Sequence, residues 1–503
     1  MSASKPSCSQ PLYAVIDLGS NSFHMLITRL VADSVQVVDK VKRKVRLASG
    51  LDKDNNLDDK SMARGWECLS FFAERLQDIP AQNIKIVATA TLRLAQNADQ
   101  FIDRAEKILQ HKINLISGIE EAHNIYLGVA HTTCSADNRL VIDIGGASTE
   151  LIVGSGFNAK EVCSLDMGCV TFNSQFFADG KFTQAAFDSA IAAATTILSD
   201  KIESYKAIGW DVALGVSGTL QAIAEVLTAQ GKLQVIDLKS LKLIEQQVIA
   251  CGSVDKLENV IGLETERRPV FAPGLAILTA IMVSFDVDEI HLAGGAIREG
   301  ILYELLPNMR NVNIRQRTLA GLIERYSIDE RQAYRVANLA DIMFEQLKSD
   351  WQLTDDLAGL LQSACALHEI GLLLEYKNNK KHAEYILDNT DLAGFSNVER
   401  KFLIALVSNY KTEFNLTSLG KQTYTERKQA IHLIVILRLA VILSKRRQDD
   451  VMSAFKLTVS GTNLTLSLPS LFIQKHPLIS AELKQEVQFL QELEVNLLIS
   501  TLT

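Results

Sequence analysis

Short apolar runs alternate with longer stretches of helical periodicity through the first 300 residues. YAVID (13–17), FHMLI (23–27), VQVVD (35–39) and IKIVATA (84–90) carry the aliphatic and β-branched content of strands. Between and after them, residues 60–76 and 98–110 have the spacing of amphipathic helices. The same grammar resumes at RLVIDIG (139–145) and TELIVG (149–154), then a helix near 183–205, VALGVSG (212–218) and EIHLAGG (289–295). Alternation of this kind predicts α/β layers around sheets. From 314 to 446 the pattern becomes almost wholly helical. Ser327 to Glu330 has capping-box spacing before Ala333, Val336, Ala337, Ala340 and Phe344. The tail returns to short strands, FKLTVSG (455–461) and LTLSLP (464–469), and then a helix. The pattern predicts four parts: lobe I at 11–124, lobe II at 125–309, a helical domain at 310–448 and a small α+β unit at 449–503.

One phrase occurs twice. VIDLGSNSF (15–23) and VIDIGGAST (141–149) each deliver an aspartate, Asp17 or Asp143, into a small-residue turn, and a second strand follows. A single Asp-x-Gly turn is as easily hairpin chemistry. The doubling, with Gly19 matching Gly145 and Ser22 matching Ser148, reads as a duplicated lobe. Two such turns facing each other would grip a phosphate chain through backbone N–H groups and hydroxyls. The cradle would be Gly19, Ser20, Asn21 and Ser22 in one lobe, and Gly145, Gly146, Ala147 and Ser148 in the other. Asp143 and Glu150 flank the second turn and suit Mg²⁺, a hard ion that takes carboxylates, waters and phosphate oxygens. Asp17 is a further ligand candidate.

A third acidic segment is SGIEEA (117–122). Ser117-x-x-Glu120 has capping-box spacing, which assigns Glu120 to structure and leaves Glu121 to project at the edge between the lobes. There it could orient or deprotonate a water, or be an acid favoured by the helix start alone. Glycine turns at GVSGT (215–219), with Gly218 and Thr219, and at LAGGA (292–296) could contact phosphate or simply pack closely. Arg93 and Arg267 suit phosphate oxygens in a bidentate fork, or surface ion pairs.

Composition narrows the partners. With 51 basic and 59 acidic residues the net charge is −8, which argues against nucleic-acid coating. The run KVKRKVR (40–46) is either a solvated strand or a lip that steers a polyanion to the cleft. The seven cysteines, 8, 68, 134, 163, 169, 251 and 365, form no C-x-x-C pair and fit reduced thiols. The first ten residues lack an apolar signal core and no run reads as a membrane span, so a cytoplasmic protein without membrane partners is expected. In the helical part, His368-Glu369 and His382 would suggest a metal phosphohydrolase, but Tyr376 stands where another histidine is wanted. Helix packing is the plainer reading.

Together these motifs resemble the exopolyphosphatase/guanosine pentaphosphate phosphatase family of the actin–Hsp70–sugar-kinase superfamily. DLGSNSFHML (17–26) and DIGGASTEL (143–151) match its phosphate motifs, and SGIEEA the segment with its catalytic glutamate, which falls on Glu121. KRKVRLA (42–48), FFAERLQDIP (71–80), ATATLRLA (88–95), GVAHTT (128–133) and LAGGA are more similar to the guanosine pentaphosphate phosphatase branch. The resemblance implies two actin-like (ribonuclease H-like) lobes around a phosphate cleft, then an HD-like helical domain with an incomplete ligand set. It implies Mg²⁺-dependent hydrolysis of the terminal 5'-phosphate of pppGpp to give ppGpp, with polyphosphate as the alternative substrate. By the same resemblance Glu121 activates water, Asp143 and Glu150 support the metal, and the protein forms a homodimer.

Overall fold

The computed structural model describes residues 11–31, 34–133, 138–306, 313–390, 392–449 and 454–502. The chain divides into two compact units, the first running through Val31 and from Val35 to residue 312, the second comprising Ser34 and the residues from Asn313 onward.

The first unit holds two sheets. One contains β1 (Leu12–Leu18), β2 (Ser22–Val31), β3 (Ser34–Lys44), β4 (Ile84–Ala88) and β5 (Asn114–Leu115), in the order β3-β2-β1-β4-β5. The other contains β6 (Asn138–Ile144), β7 (Thr149–Ser155), β8 (Asn158–Leu165), β9 (Val212–Gly215), β10 (Val235–Asp237) and β11 (Glu289–Leu292), in the order β10-β11-β9-β6-β7-β8. The repeated phrase is a repeated hairpin. β1 and β2 pair antiparallel with Asp17 opposite His24, and β6 and β7 pair antiparallel with Asp143 opposite Glu150. Each first strand then pairs in parallel with a later one, β1 with β4 and β6 with β9, as crossover connections require.

Two helices join the lobes, Gly118–Thr132 and Ile297–Leu305. A shared core of Val15, Val87, Ile125, Tyr126, Val141, Leu214 and Ile301 lies around them. Their axes come close because glycine stands at the crossing. A Cβ on Gly128 would lie 2.0 Å from the Ala296 carbonyl oxygen, and one on Gly300 1.8 Å from that of Asn124. LAGGA is therefore a packing turn, its Gly295 lying against the Gly128 carbonyl.

The helix Arg268–Phe285 is long and apolar enough to cross a membrane by length and composition. Its apolar residues instead fill the core of the second lobe, from Phe271 through Phe285.

In the second unit one apolar core runs from Leu322 to Leu497. Its helices pack on a sheet of β12 (Lys456–Ser460), β13 (Asn463–Pro469) and β14 (Asn496–Leu502). The last strand, parallel to β13, follows the helix with which the sequence reading ended. Arg438 and Glu486 form a fully buried bidentate pair at 2.5 and 2.8 Å. The Ser327 cap expected for the helix Glu330–Trp351 is not formed. Asp329 caps it instead, accepting from Gln332 N at 3.0 Å, while Ser327 sits at φ 49° in the preceding turn. A carboxylate directly before the helix reaches its free N–H groups more easily. Cys68, Cys163, Cys169, Cys251 and Cys365 are free thiols, and Cys8 and Cys134 lie outside the described residues.

Candidate active site between two phosphate turns

Both turns have their carbonyls occupied from behind. Asn21 O accepts from Val45 N and Arg46 N at 3.2 and 2.8 Å, and Ser20 O accepts from Ala48 N at 3.0 Å. In the second turn Gly145 O accepts from Cys169 N at 2.9 Å and Gly146 O from Val170 N at 2.8 Å. A trans peptide directs its N–H opposite its carbonyl. The N–H groups of Asn21, Ser22, Gly146 and Ala147 are therefore turned away from those donors, as a phosphate cradle requires. The glycines are equivalent in detail: a Cβ on Gly19 would lie 3.0 Å from Ser22 O, and one on Gly145 3.0 Å from Ser148 O. The turns also meet, since a Cβ on Gly146 would lie 2.8 Å from Ser20 Cβ.

Glu121 arrives through its helix cap. Ser117 Oγ accepts from Glu120 N at 3.1 Å, and Glu120 Oε2 accepts from Ser117 N at 2.7 Å. The capping box is formed as the sequence spacing predicts. The neighbouring Glu121 is buried rather than projecting, at 9% exposure. Its Oε2 accepts from Arg93 Nη1 at 2.7 Å. Gly118, at the start of the helix, allows close approach to β8: a Cβ there would lie 2.5 Å from Ser164 Cβ and Oγ. Ser164 Oγ in turn donates to Glu150 Oε1 at 2.7 Å. One glycine thus lets the Glu121 helix reach the strand that orients Glu150.

Four carboxylates share this cleft. Burial pushes Asp17 up to about 7, opposed by Arg298 and reinforced by the Glu121 charge. Asp143 is pushed up to about 7 by burial and by Glu121 and Asp17. Glu150 is raised well above the usual range by burial and by Glu121 and Asp143. Burial raises Glu121 as well, against the opposing pull of Arg93. Buried acids that repel one another are stabilised by a cation. Among the described residues no three acidic, histidine or cysteine side chains converge into a full metal cage. A hard divalent ion that keeps several waters needs only one or two carboxylates plus phosphate oxygens. The donor set fits such an ion; Asp143 and Glu150 are the residues that would hold it, with Asp17 nearby.

Cations complete the site. Arg267 lies against the GVSGT turn, where a Cβ on Gly218 would come within 2.1 Å of its Nη2. Thr219 donates its hydroxyl to Ile144 O at 3.1 Å and so braces the end of β6. Three contributors escaped the sequence reading: Arg298, His24 and Ser164. Arg298 Nη1 donates to His24 Nδ1 at 2.9 Å. Burial and the nearby Arg298 and Lys42 charges hold His24 down to about 2, so it is neutral. Arg298 lies two residues beyond the LAGGA turn, and that position was its one signal in the sequence.

The metal-phosphohydrolase residues of the second unit are engaged elsewhere. His368 Nδ1 hydrogen-bonds Cys365 O at 2.7 Å, and His382 Nε2 lies 3.4 Å from Glu375. Glu369 is ion-paired with Arg447, which also donates to Asp329 Oδ2 at 2.8 Å. A guanidinium stands beside the acid that a metal would require.

The Ppx/GppA phosphatase family model matches residues 26–309, and the model for domain III of Ppx/GppA phosphatases matches residues 314–487. The chain belongs to the Ppx/GppA phosphatase family. A protein of Pseudoalteromonas translucida named guanosine-5'-triphosphate,3'-diphosphate pyrophosphatase is 49% identical over 480 residues, covering 94% of this chain and 95% of its own. One of the same name from Aeromonas hydrophila is 48% identical over 486 residues, covering 96% and 98%. Among solved structures, an exopolyphosphatase from Cytophaga hutchinsonii aligns with TM-score 0.55 at 22% identity, covering 59% of this chain and 98% of its own. The Aquifex aeolicus Ppx/GppA enzyme gives 0.51 at 22%, covering 58% and 99%. At that identity the two structures show the shared fold over the part of the chain they cover.

Proposed function

We propose that the protein hydrolyses the terminal 5'-phosphate of pppGpp, giving ppGpp and inorganic phosphate. One observation carries the reading: a buried glutamate, Glu121, held by Arg93 beside three further carboxylates and two phosphate turns. The relatives' names supply the substrate.

Glu121 accepts a proton from water, whose oxygen bonds to the terminal phosphorus. The bond from that phosphorus to the bridging oxygen breaks, and its electron pair leaves with ppGpp. The N–H groups of both turns, with Arg93 and Arg267, hold the non-bridging oxygens, where negative charge must be stabilised. Mg²⁺, held by Asp143 and Glu150 with Asp17 close by, would neutralise phosphate charge when bound. Ser164 fixes the Glu150 carboxylate, and Arg298 offsets the charge of Asp17. The protein is read as cytoplasmic and homodimeric.

The test is initial phosphate release with Mg²⁺ from pppGpp, long-chain polyphosphate and ATP, each with wild type and Glu121→Gln. Preference for pppGpp, lost in the variant, is expected. Preference for polyphosphate would keep the site and replace the substrate, and ATP alone would overturn the reading.

A further inference from the structure

Behind the first turn lies a cavity of about 420 Å³ lined by Lys44, Val45, Arg46, Ser49 and Arg64. That volume falls within the roughly 300–1,000 Å³ of small-molecule pockets, but three of its five lining residues are cationic, unlike their mostly apolar linings. The pocket is built around one unusual residue. Arg46 has φ 52°, a conformation that a long side chain adopts only when its surroundings enforce it. Here its N–H is fixed by Asn21 O at 2.8 Å. Its carbonyl accepts from Arg64 Nη2 at 3.2 Å and from Ser49 Oγ at 2.7 Å. Arg64 Nε also holds Val45 O at 2.8 Å. The backbone is thus secured on both sides, while the Arg46 side chain is exposed at the cavity.

The cavity also adjoins the second lobe. Lys44 is ion-paired with Glu266, whose neighbour Arg267 lies on Gly218. Glu266 engages Lys44 and Asp58 stands near Arg64; three cations against these two acids leave the pocket net positive at the exposed Arg46. Its wall is the backbone that binds the first phosphate turn, so an anion there and a phosphate on the turn lie on opposite sides of one strand of chain.

We propose that this cavity is a second anion subsite, which takes a diphosphate group of the substrate remote from the bond that is cleaved. The proposal rests on the hydrolysis reading above, in which the substrate carries phosphate at two ends. A 3'-diphosphate and the distal part of a polyphosphate chain present the same chemistry to these guanidinium and ammonium groups.

Steady-state kinetics of Arg46→Gln and Lys44→Gln on pppGpp, GTP and long-chain polyphosphate provide the test, with Arg46→Lys as the charge-conserving control. KM for pppGpp should rise about ten-fold, the loss of one charge-assisted hydrogen bond, with kcat within about two-fold. GTP has the same triphosphate without a 3'-diphosphate and should be nearly insensitive; Arg46→Lys should recover most of the loss. A matching rise on polyphosphate alone would identify the chain tail as the source of the anion. An equal rise on GTP, or none on any substrate, would overturn the proposal. Should Arg46→Gln fail to fold, Lys44→Gln carries the test. If wild type hydrolyses neither pppGpp nor polyphosphate, the functional reading falls by itself. Calorimetry with inorganic pyrophosphate then judges the cavity, and equal affinity in wild type and Arg46→Gln rejects it.

Discussion

Arg93 Nη1 donates both to Glu121 Oε2, at 2.7 Å, and to the Ile116 carbonyl, at 3.0 Å. The second contact anchors the guanidinium to the segment that leads into the Glu121 helix, so arginine and glutamate move as one piece. Arg93 therefore opposes the effect of burial on Glu121 and favours the ionised form. Replacing Arg93 with Met should raise the Glu121 pKa further, and the acid limb of the kcat–pH profile should move to higher pH. A limb that stays in place would show that Arg93 does not govern the base.

Removing the base itself is a sharper test. Glu121→Gln keeps shape and loses the proton acceptor, so turnover should fall by ~10²–10⁴. Substrate affinity, measured by calorimetry, should change little. Near-normal turnover would sink the assignment of Glu121.

The acid cluster makes a prediction about stability. Asp17 and Asp143 have folded-state values near 7, against about 3.9 unfolded. Between those limits the folded protein binds more protons than the unfolded chain, so stability falls as pH rises from about 4 to about 7. Thermal melts without divalent ion should show this decline. Mg²⁺ binds the deprotonated carboxylates, so its stabilising effect should be larger at pH 8 than at pH 5. An equal effect at both pH values would count against these acids as holders of the ion.

The crossing of the two joining helices should tolerate no side chain. Gly300→Ala places a methyl group 1.8 Å from the Asn124 carbonyl oxygen, and overpacking of this sort costs about 1–3 kcal/mol or more. A fall in urea midpoint at constant m-value is expected. Because this helix carries Arg298, activity should fall along with stability.

In the second unit, His368→Ala should leave activity within a few-fold, since His368 is buried against Cys365 O and Glu369 is engaged by Arg447. Complete loss of activity in a variant that stays folded would restore a catalytic role there.

The sequence disclosed the features that depend on neighbouring residues. The doubled hairpins, both glycine turns and the Ser117–Glu120 box are local, and each stands where its spacing indicates. Glu121 could be separated from Glu120 because one cap uses one acid. Arg298 and Ser164 were not legible, since their roles arise from chain segments far apart that meet at the cleft. Ser327 misled because serine and aspartate compete for the same cap, and proximity to the helix start decides between them. The final strand escaped because its pairing partner, β13, lies on the far side of a helix.

The two hairpins differ at the cross-strand position of their aspartates: Asp143 faces Glu150, but Asp17 faces the neutral His24 held by Arg298. A doubled backbone with this rung altered gives the enzyme polarity. One copy offers two carboxyl groups of the kind a metal would draw into their ionised form; the other exchanges one of them for an uncharged ring tied to a cation and is friendlier to an anion. The copies are thus no longer interchangeable, and a phosphate chain laid between them meets a different end at each side. Duplication supplied the symmetry of the cleft, and the loss of symmetry at residue 24 gives it a direction.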